Sequence, residues 1–245
     1  MKLGKHPPEI DQRTLMFGKY LLPSLPPNPP AADYSKAVSK WGMMGNDQYG
    51  DCTCAAAGHM VLEWTANNGK ALVISDSDIL KAYNHFAHGN ADAGANMLQV
   101  LRYWRKTGIG GDKISAFAAL AARNLEQVKS SVELFGSCYI GVALPDFAVP
   151  ATGDFLSIPW VLPASGPVGD AAPNPSNGHC IPAVGYDASN LYIVTWGAVK
   201  SMSWGFYQAY MDEAYAVLSA DWLGSGAAAP NGFDLAALKK DLSAL

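Results

Sequence analysis

The run Cys54-Ala55-Ala56-Ala57-Gly58-His59-Met60-Val61-Leu62-Glu63-Trp64 carries small or apolar residues on nearly every side of a helical wheel. It therefore predicts a buried central helix rather than a surface one. Ser75-Asp76-Ser77-Asp78 ahead of Ile79-Leu80-Lys81-Ala82-Tyr83 predicts a helix start, its acids favoured by the positive end of the dipole. A third helix is predicted from Asn96 to Lys106, with Met97, Leu98, Leu101 and Trp104 on one side and Thr107-Gly108-Ile109-Gly110-Gly111 as its stop. Asn124 to Phe135 reads as a last amphipathic helix. The pattern then changes to strand candidates at Tyr139–Leu144, Cys180–Tyr186 and Leu191–Trp196, with Asp187-Ala188-Ser189-Asn190 as a hairpin loop. The Pro/Gly/Ser-rich stretch from Pro159 to Gly178 predicts a long surface loop leading into the strand that carries His179. A helical half followed by an antiparallel β half is an α+β arrangement, with a cleft expected between the halves.

The ends differ from the middle. Residues 1–32 are proline-rich, culminating in Leu22-Pro23-Ser24-Leu25-Pro26-Pro27-Asn28-Pro29-Pro30, and predict an extended arm because proline fixes φ and lacks an N–H. Leu15, Met16, Phe17 and Leu21 are candidate anchors for laying it along the domain or a neighbouring subunit. Residues 33–223 form the globular part, with 33–115 as the helical half and 116–223 as the mainly β half. Residues 224–232 read as a flexible Gly/Ala break, after which Leu235, Leu238, Leu242 and Leu245 follow Asp234, a candidate N-cap, in a short helix that docks by one face.

Composition narrows the function classes. With 21 acidic against 17 basic residues the net charge is −4, and no Lys/Arg run exists, so nucleic acid is not an expected partner. Charged residues make up 16%, below the roughly 25% of ordinary soluble domains, which predicts a partly neutral surface suited to self-association or assembly. No stretch approaches the roughly 20 apolar residues of a membrane span and the first residues lack an apolar signal region. No membrane partner and a cytoplasmic location are therefore expected. Cysteines 52, 54, 138 and 180 lie in apolar or glycine-rich surroundings and read as reduced thiols.

One of them is placed for chemistry. Gly50-Asp51-Cys52 precedes the buried helix, so Cys52 sits at a helix start, where unpaired N–H groups and the dipole can lower a thiol from about 8.5 into roughly 3.5 to 7.5. His179, introduced by Asn177-Gly178, opens an apolar strand downstream. A nucleophile at a helix start and a base on a facing strand would form a Cys/His pair, with the thiol depressed and the imidazole raised. Cys54, Cys138 and Cys180 read as core thiols. His59 lies two helical turns beyond Cys52, about 10 Å away and out of general-base reach. His85, His88 and Asp92 read as a solvated face, and neither a metal nor a cofactor is expected.

In this order the motifs resemble the papain-like cysteine peptidases over roughly residues 33–215. The resemblance rests on a Gly-x-Cys turn into the central helix, a Ser-led helix at 75 and an Asn-Leu-x-x-Val-Lys helix before a strand. His179 then opens a strand ending Val184-Gly185-Tyr186, with Trp-Gly pairs at 196–197 and 204–205. It implies a divergent member of bacterial or phage type, with a papain-like fold and hydrolysis of a peptide or other amide through a thioester, without a cofactor. Two registers are open. The Gly-x-Cys turn makes Cys52 the nucleophile and Asn46 the oxyanion-hole side chain, whereas matching the family's glutamine makes Gln48 that side chain and Cys54 the nucleophile. Gly50 and the direction of Cys54, about 200° round the helix, favour Cys52. The family's imidazole-orienting asparagine is absent, leaving Val194 and Thr195 as candidates, of which Thr195 has the acceptor, and Trp196 would pack over it. A catalytically weak or inactive papain-like domain serving binding or assembly is the alternative.

Overall fold

In the computed structural model, which describes residues 1–150, 155–224 and 230–244, helix α1 (Cys52–Asn67) has every side chain from Cys52 to Trp64 buried. Helix α2 (Asp76–Ala87) starts at Ser75, whose hydroxyl accepts from the Asp78 N–H. Helix α3 (Met97–Lys106) starts at Asn96, whose side chain accepts from the N–H groups of Leu98 and Gln99. Each cap satisfies donors that a first helical turn leaves without a partner. Trp64 of α1 stacks on Trp104 of α3 with ring centroids 5.8 Å apart, and these helices share one apolar core with Ile79, Leu101 and Val61.

The second half is a sheet with one long helix against it. Its elements are β2 (Ala116–Ala119), α4 (Leu125–Phe135), β3 (Cys138–Ala143), β4 (Gly178–Tyr186), β5 (Asn190–Thr195), β6 (Ala198–Ser203), α5 (Trp204–Tyr210) and β7 (Met211–Leu218). All pairings are antiparallel in the order β2-β7-β3-β4-β5-β6, and a short strand β1 (Ala32–Asp33) adds to β4 at Tyr186 and Gly185. β3 and β4 lie in the middle, and every one of their side chains is buried, which is why they read as continuous apolar runs. Pro182 falls just before β4 begins to pair with β5 at Ala183, where a missing donor does least damage. β2, β6, β7 and α5 escaped the sequence pattern. β7 opens Met211-Asp212-Glu213, and β6 alternates Lys200 and Ser201 among apolar residues, so neither presents a clean apolar stripe.

Two expectations need correction. The N-terminal arm is extended only in part: Phe17–Tyr20 forms a 3-10 turn, and Phe17 and Tyr20 are fully buried. Phe17 packs its ring 6.1 Å from Phe135 and 5.9 Å from Phe233, while Met16 stays 48% exposed and is no anchor. The segment from Pro159 to Gly178 is not wholly a surface loop, because Trp160 is fully buried and stacks on Phe206 at 5.3 Å. A large aromatic ring gains more from burial than a proline-rich context suggests. Of the Gly/Ala break, residues 225–229 lie outside the described residues, as does Leu245. A four-residue helix α6 (Ala220–Leu223) precedes the break, and α7 (Leu235–Ser243) follows it. Asp234 caps α7 through the Ala237 N–H at 2.8 Å, and Leu238 is fully buried.

Among the described residues, two buried side-chain bonds join the halves. Trp64 Nε1 donates to Phe135 O at 2.8 Å, and the Tyr139 hydroxyl of β3 donates to Thr53 O in the first turn of α1 at 2.7 Å. The second fixes where α1 begins relative to the sheet. Tyr139→Phe keeps the ring and loses the bond, so the urea midpoint should fall by the equivalent of about 1 kcal/mol. An unchanged midpoint would mean that this contact carries no net stabilisation.

Candidate active site

Cys52 is the first residue of α1, and its turn is held by neighbours on both sides. The Gly50 N–H donates to Ala91 O at 2.8 Å, and the N–H groups of Cys54 and Ala55 return to Asp51 O. All four cysteines are free and buried. Burial pushes the Cys52 thiol up to about 12, against the opposing pull of the nearby Cys180 backbone. The expected depressed thiol is therefore not found. The helix-start position is realised, but the loss of water outweighs it. Cys54, two positions on, is fully buried, and burial raises its thiol as well. Asp51, at the N-cap, has a buried carboxyl that accepts no hydrogen bond among the described residues and is pushed up to about 7 by burial.

His179 is the second residue of β4, opposite Val142 of β3, and is 1% exposed. Its Nε2 lies 2.8 Å from Thr195 Oγ1. Trp196 stacks on the imidazole with centroids 4.6 Å apart and planes 17° from parallel, and the Trp160 ring stands edge-on to it at 6.5 Å. Trp196 holds a left-handed backbone, φ +46°, uncommon for a bulky residue and required here by the turn that returns β5 into β6. Burial depresses the imidazole to about 3, the reverse of the expected rise. With its proton on Nε2 toward Thr195, the neutral ring leaves Nδ1 as a lone pair, and Nδ1 has no hydrogen-bond partner among the described residues. Cys52 and His179 are thus not a closed ion pair in this structure.

The remaining candidates separate. Asn46 is buried, its Nδ2 donating to Tyr49 O at 3.1 Å and its backbone carbonyl accepting from the Lys2 N–H at 2.9 Å. Gln48 is exposed, with its amide 3.5 Å from the Asp47 carboxylate. His59 is buried, and its Nε2 donates to Gly42 O at 2.8 Å, a packing histidine. The geometry joins His179 to Thr195 and Trp196, lays the strand of Cys180 along the helix that Cys52 opens, keeps Asn46 in the preceding turn and leaves Gln48 at the surface.

Sequence reasoning missed what covers these residues. Residues 2–6 run between the two halves: the Lys2 N–H reaches Asn46 O, Trp196 Nε1 donates to Lys2 O at 3.1 Å, and the N–H groups of Gly4 and Lys5 both point to Gly178 O at 3.1 and 3.0 Å. The His6 N–H donates to Ala95 O at 3.0 Å, and the Ala95 N–H donates to Gly4 O at 2.8 Å, a parallel bridge beside α3. Trp160, Cys180, Asp212 and Glu213 were missed too. Only the glycines at 4, 50, 94 and 178 hinted at close backbone approach, and no helical or strand periodicity marks such a contact.

No family model matches the chain, and no curated protein matches it. Solved structures do. Xylellain, a cysteine protease from Xylella fastidiosa, superposes with a TM-score of 0.63 at 14% identity over 89% of this chain and 96% of its own. The cysteine protease CMS1MS2 of Carica candamarcensis gives 0.55 at 17% identity over 78% of this chain and 99% of its own. The digestive procathepsin L 3 of Tenebrio molitor gives 0.56 at 13% identity over 84% and 76%. The chain has the papain-like fold. At such identities the likeness carries the architecture and no residue's role. Within this papain-like fold α1 packs along β4, so the helix that begins at Cys52 and the strand that begins beside His179 are direct neighbours.

Proposed function

We propose that the chain is a cysteine-nucleophile hydrolase of a peptide or other amide bond, in which Cys52 attacks, His179 moves the proton, Thr195 orients the imidazole and residues 2–6 cover the cleft in the closed state. The observation that carries this reading is the His179 arrangement. Nε2 is engaged by Thr195 and the ring is held by Trp196, while Nδ1 is buried and unpaired. A core histidine without a task would satisfy both nitrogens.

When the cover lifts and substrate enters, Nδ1 takes the Cys52 proton and Sγ adds to the amide carbon. The oxyanion is received by the Cys52 backbone N–H and by Asn46 Nδ2, which must leave Tyr49 O to reach it. The imidazolium returns its proton to the departing amine, leaving a thioester, and water activated by the same nitrogen releases the acid and frees the thiol. Opening the cleft also removes the desolvation that holds thiol and imidazole neutral, so both groups move toward their working values. Mass mapping of the adduct formed with an electrophilic peptide amide tests the proposal: the added mass should sit on Cys52. An unlabelled Cys52 in folded, opened protein favours the silent binding or assembly domain, a reading supported by the neutral, unjoined state of Cys52 and His179 in the closed chain.

The closed state has a pH signature of its own. A histidine depressed in the folded chain contributes stability that is complete above its unfolded value, near 6.5, and is lost as pH falls toward about 3. His179→Gln should therefore flatten the dependence of unfolding free energy on pH between about 6 and 4, by up to about 1.4 kcal/mol per pH unit. Parallel curves for parent and variant would show that His179 is protonated in the folded chain.

A further inference from the structure

The part of residues 2–6 that reaches deepest is the Lys5 side chain. It is 1% exposed, and its ammonium donates to Asp212 Oδ2 at 2.8 Å and His6 O at 2.9 Å and lies 3.3 Å from Glu213 Oε1. A lysine this buried needs a site built to receive it. The walls meet that description. A Cβ on Gly141 would lie 2.2 Å from Lys5 Cε, so the pocket exists because β3 carries a glycine there, and Met97 lies at the same point. The backbone is received in the same way. A Cβ on Gly178 would fall 2.0 Å from Lys5 O, one on Gly94 2.3 Å from Gly4 O, and one on Gly50 2.9 Å from Leu3 O. Four glycines from four separate parts of the chain thus clear a path for one extended segment, and glycine is the residue used where backbone must approach a ligand closely.

The pocket adjoins the strand of the proposed base, since Gly141, which clears room for Lys5, pairs with Cys180 of β4 on one side and Glu213 of β7 on the other, and β4 packs against the helix that Cys52 opens. It also has acceptor capacity beyond what Lys5 takes up: Asp212 Oδ1 is buried and accepts no hydrogen bond among the described residues, and Glu213 Oε1 meets Lys5 as an ion pair at 3.3 Å without a hydrogen bond. Glu213 is itself held in place, its Oε2 accepting from the Tyr215 hydroxyl at 2.8 Å.

We infer that the pocket closed by Asp212 and Glu213 is the selecting pocket of the cleft, that it takes a lysine or arginine side chain of a peptide, and that Lys5 is its intramolecular occupant. This rests on the hydrolase reading for the chemistry, though not for the binding. Arginine fits the unused acceptors well, because its planar fork offers donors to both carboxylates where an ammonium satisfies one squarely.

The test uses the full chain carrying Lys5→Ala, which empties the pocket. Binding is read first, with a fluorescent peptide copying residues 1–8. It should bind the variant, lose at least about ten-fold in affinity when its own Lys5 is replaced by alanine, and lose as much against a chain that also carries Asp212→Asn and Glu213→Gln. Equal affinity of the two peptides, or no binding, overturns the pocket and leaves Lys5 as an anchor of the arm. Hydrolysis is read second, with blocked fluorogenic peptides varied one position at a time. Arginine or lysine at one position should exceed leucine by at least about ten-fold, and the two neutralising substitutions should bring that ratio to within about two-fold, whatever they do to the absolute rates. A preference that survives both substitutions overturns the assignment. Selective binding with no hydrolysis of any peptide keeps the pocket and overturns the hydrolase reading.

Discussion

Cys52→Ala should abolish both amide hydrolysis and labelling by a peptide electrophile, whereas Cys54→Ala should keep most of each. The expected loss for Cys52 is complete because, of the residues assigned to the reaction, Cys52 is the one that forms the thioester. Both thiols are buried and both are raised by burial, so exposure alone does not separate them. Position does. Cys52 opens α1, the helix that packs along the strand carrying His179 and Cys180. Cys54 lies fully buried in the apolar core of the helical half. Since Cys54→Ala removes a sulfur from a packed interior, a modest loss of stability is expected, and rates should be compared below the onset of unfolding. Hydrolysis that survives Cys52→Ala and disappears with Cys54→Ala would transfer the nucleophile, although the exposed Gln48 would then be badly placed to serve it.

Lys5→Ala should raise the labelling rate of Cys52 at neutral pH by roughly 100-fold. In the closed chain a reagent reaches Cys52 only when residues 2–6 lift, so the rate follows the population of that opening. Removing Lys5 leaves Asp212 and Glu213 facing each other without a cation. Breaking a buried pair in this way typically costs about 3 to 5 kcal/mol, and about 3 kcal/mol of lost closure is roughly 100-fold in open population. The rest of the molecule should stay folded, because the arm is separately fixed by Phe17 and Tyr20, and neither core depends on Lys5. Stopped-time alkylation followed by peptide mass mapping reads the rate at Cys52, with Cys138 as an internal control that should not change. Equal acceleration at both cysteines would indicate global loosening, and no acceleration would show that residues 2–6 do not guard the thiol.

Much of this could be read from the chain, for reasons that lie in particular residues. α1 was legible because its first 13 residues are all buried, which demands small and apolar side chains all round. β3 and β4 were legible because burial on both faces produces continuous apolar runs, and β5 because only Asn190 and Tyr192 of its six residues are half-buried. The Thr195 contact followed from the residue just before Trp196, the only acceptor side chain at that place. β7 was illegible because Asp212 and Glu213 occupy a buried strand only in the company of Lys5, more than 200 residues away, and no local pattern encodes such a partnership. The cover was hidden by the prolines that follow it. Residues 2–6 have no period of their own, since they are shaped by glycines elsewhere. The pKa directions were misjudged for the same cause. A helix start and a histidine are visible in sequence, whereas the water excluded by a distant segment is not.

The proposed hydrolase requires Cys52 and His179 to act as one coupled pair once the cleft opens. The decisive measurement is the alkylation rate of Cys52 against pH in the full-length Lys5→Ala chain, with and without His179→Ala. If the pair is coupled, the imidazolium stabilises the thiolate, so the profile of the His179-containing chain should begin well below the roughly 8.5 of a free thiol and shift alkaline when His179 is removed. Two superimposable profiles would contradict the account and leave a papain-like scaffold without a working nucleophile.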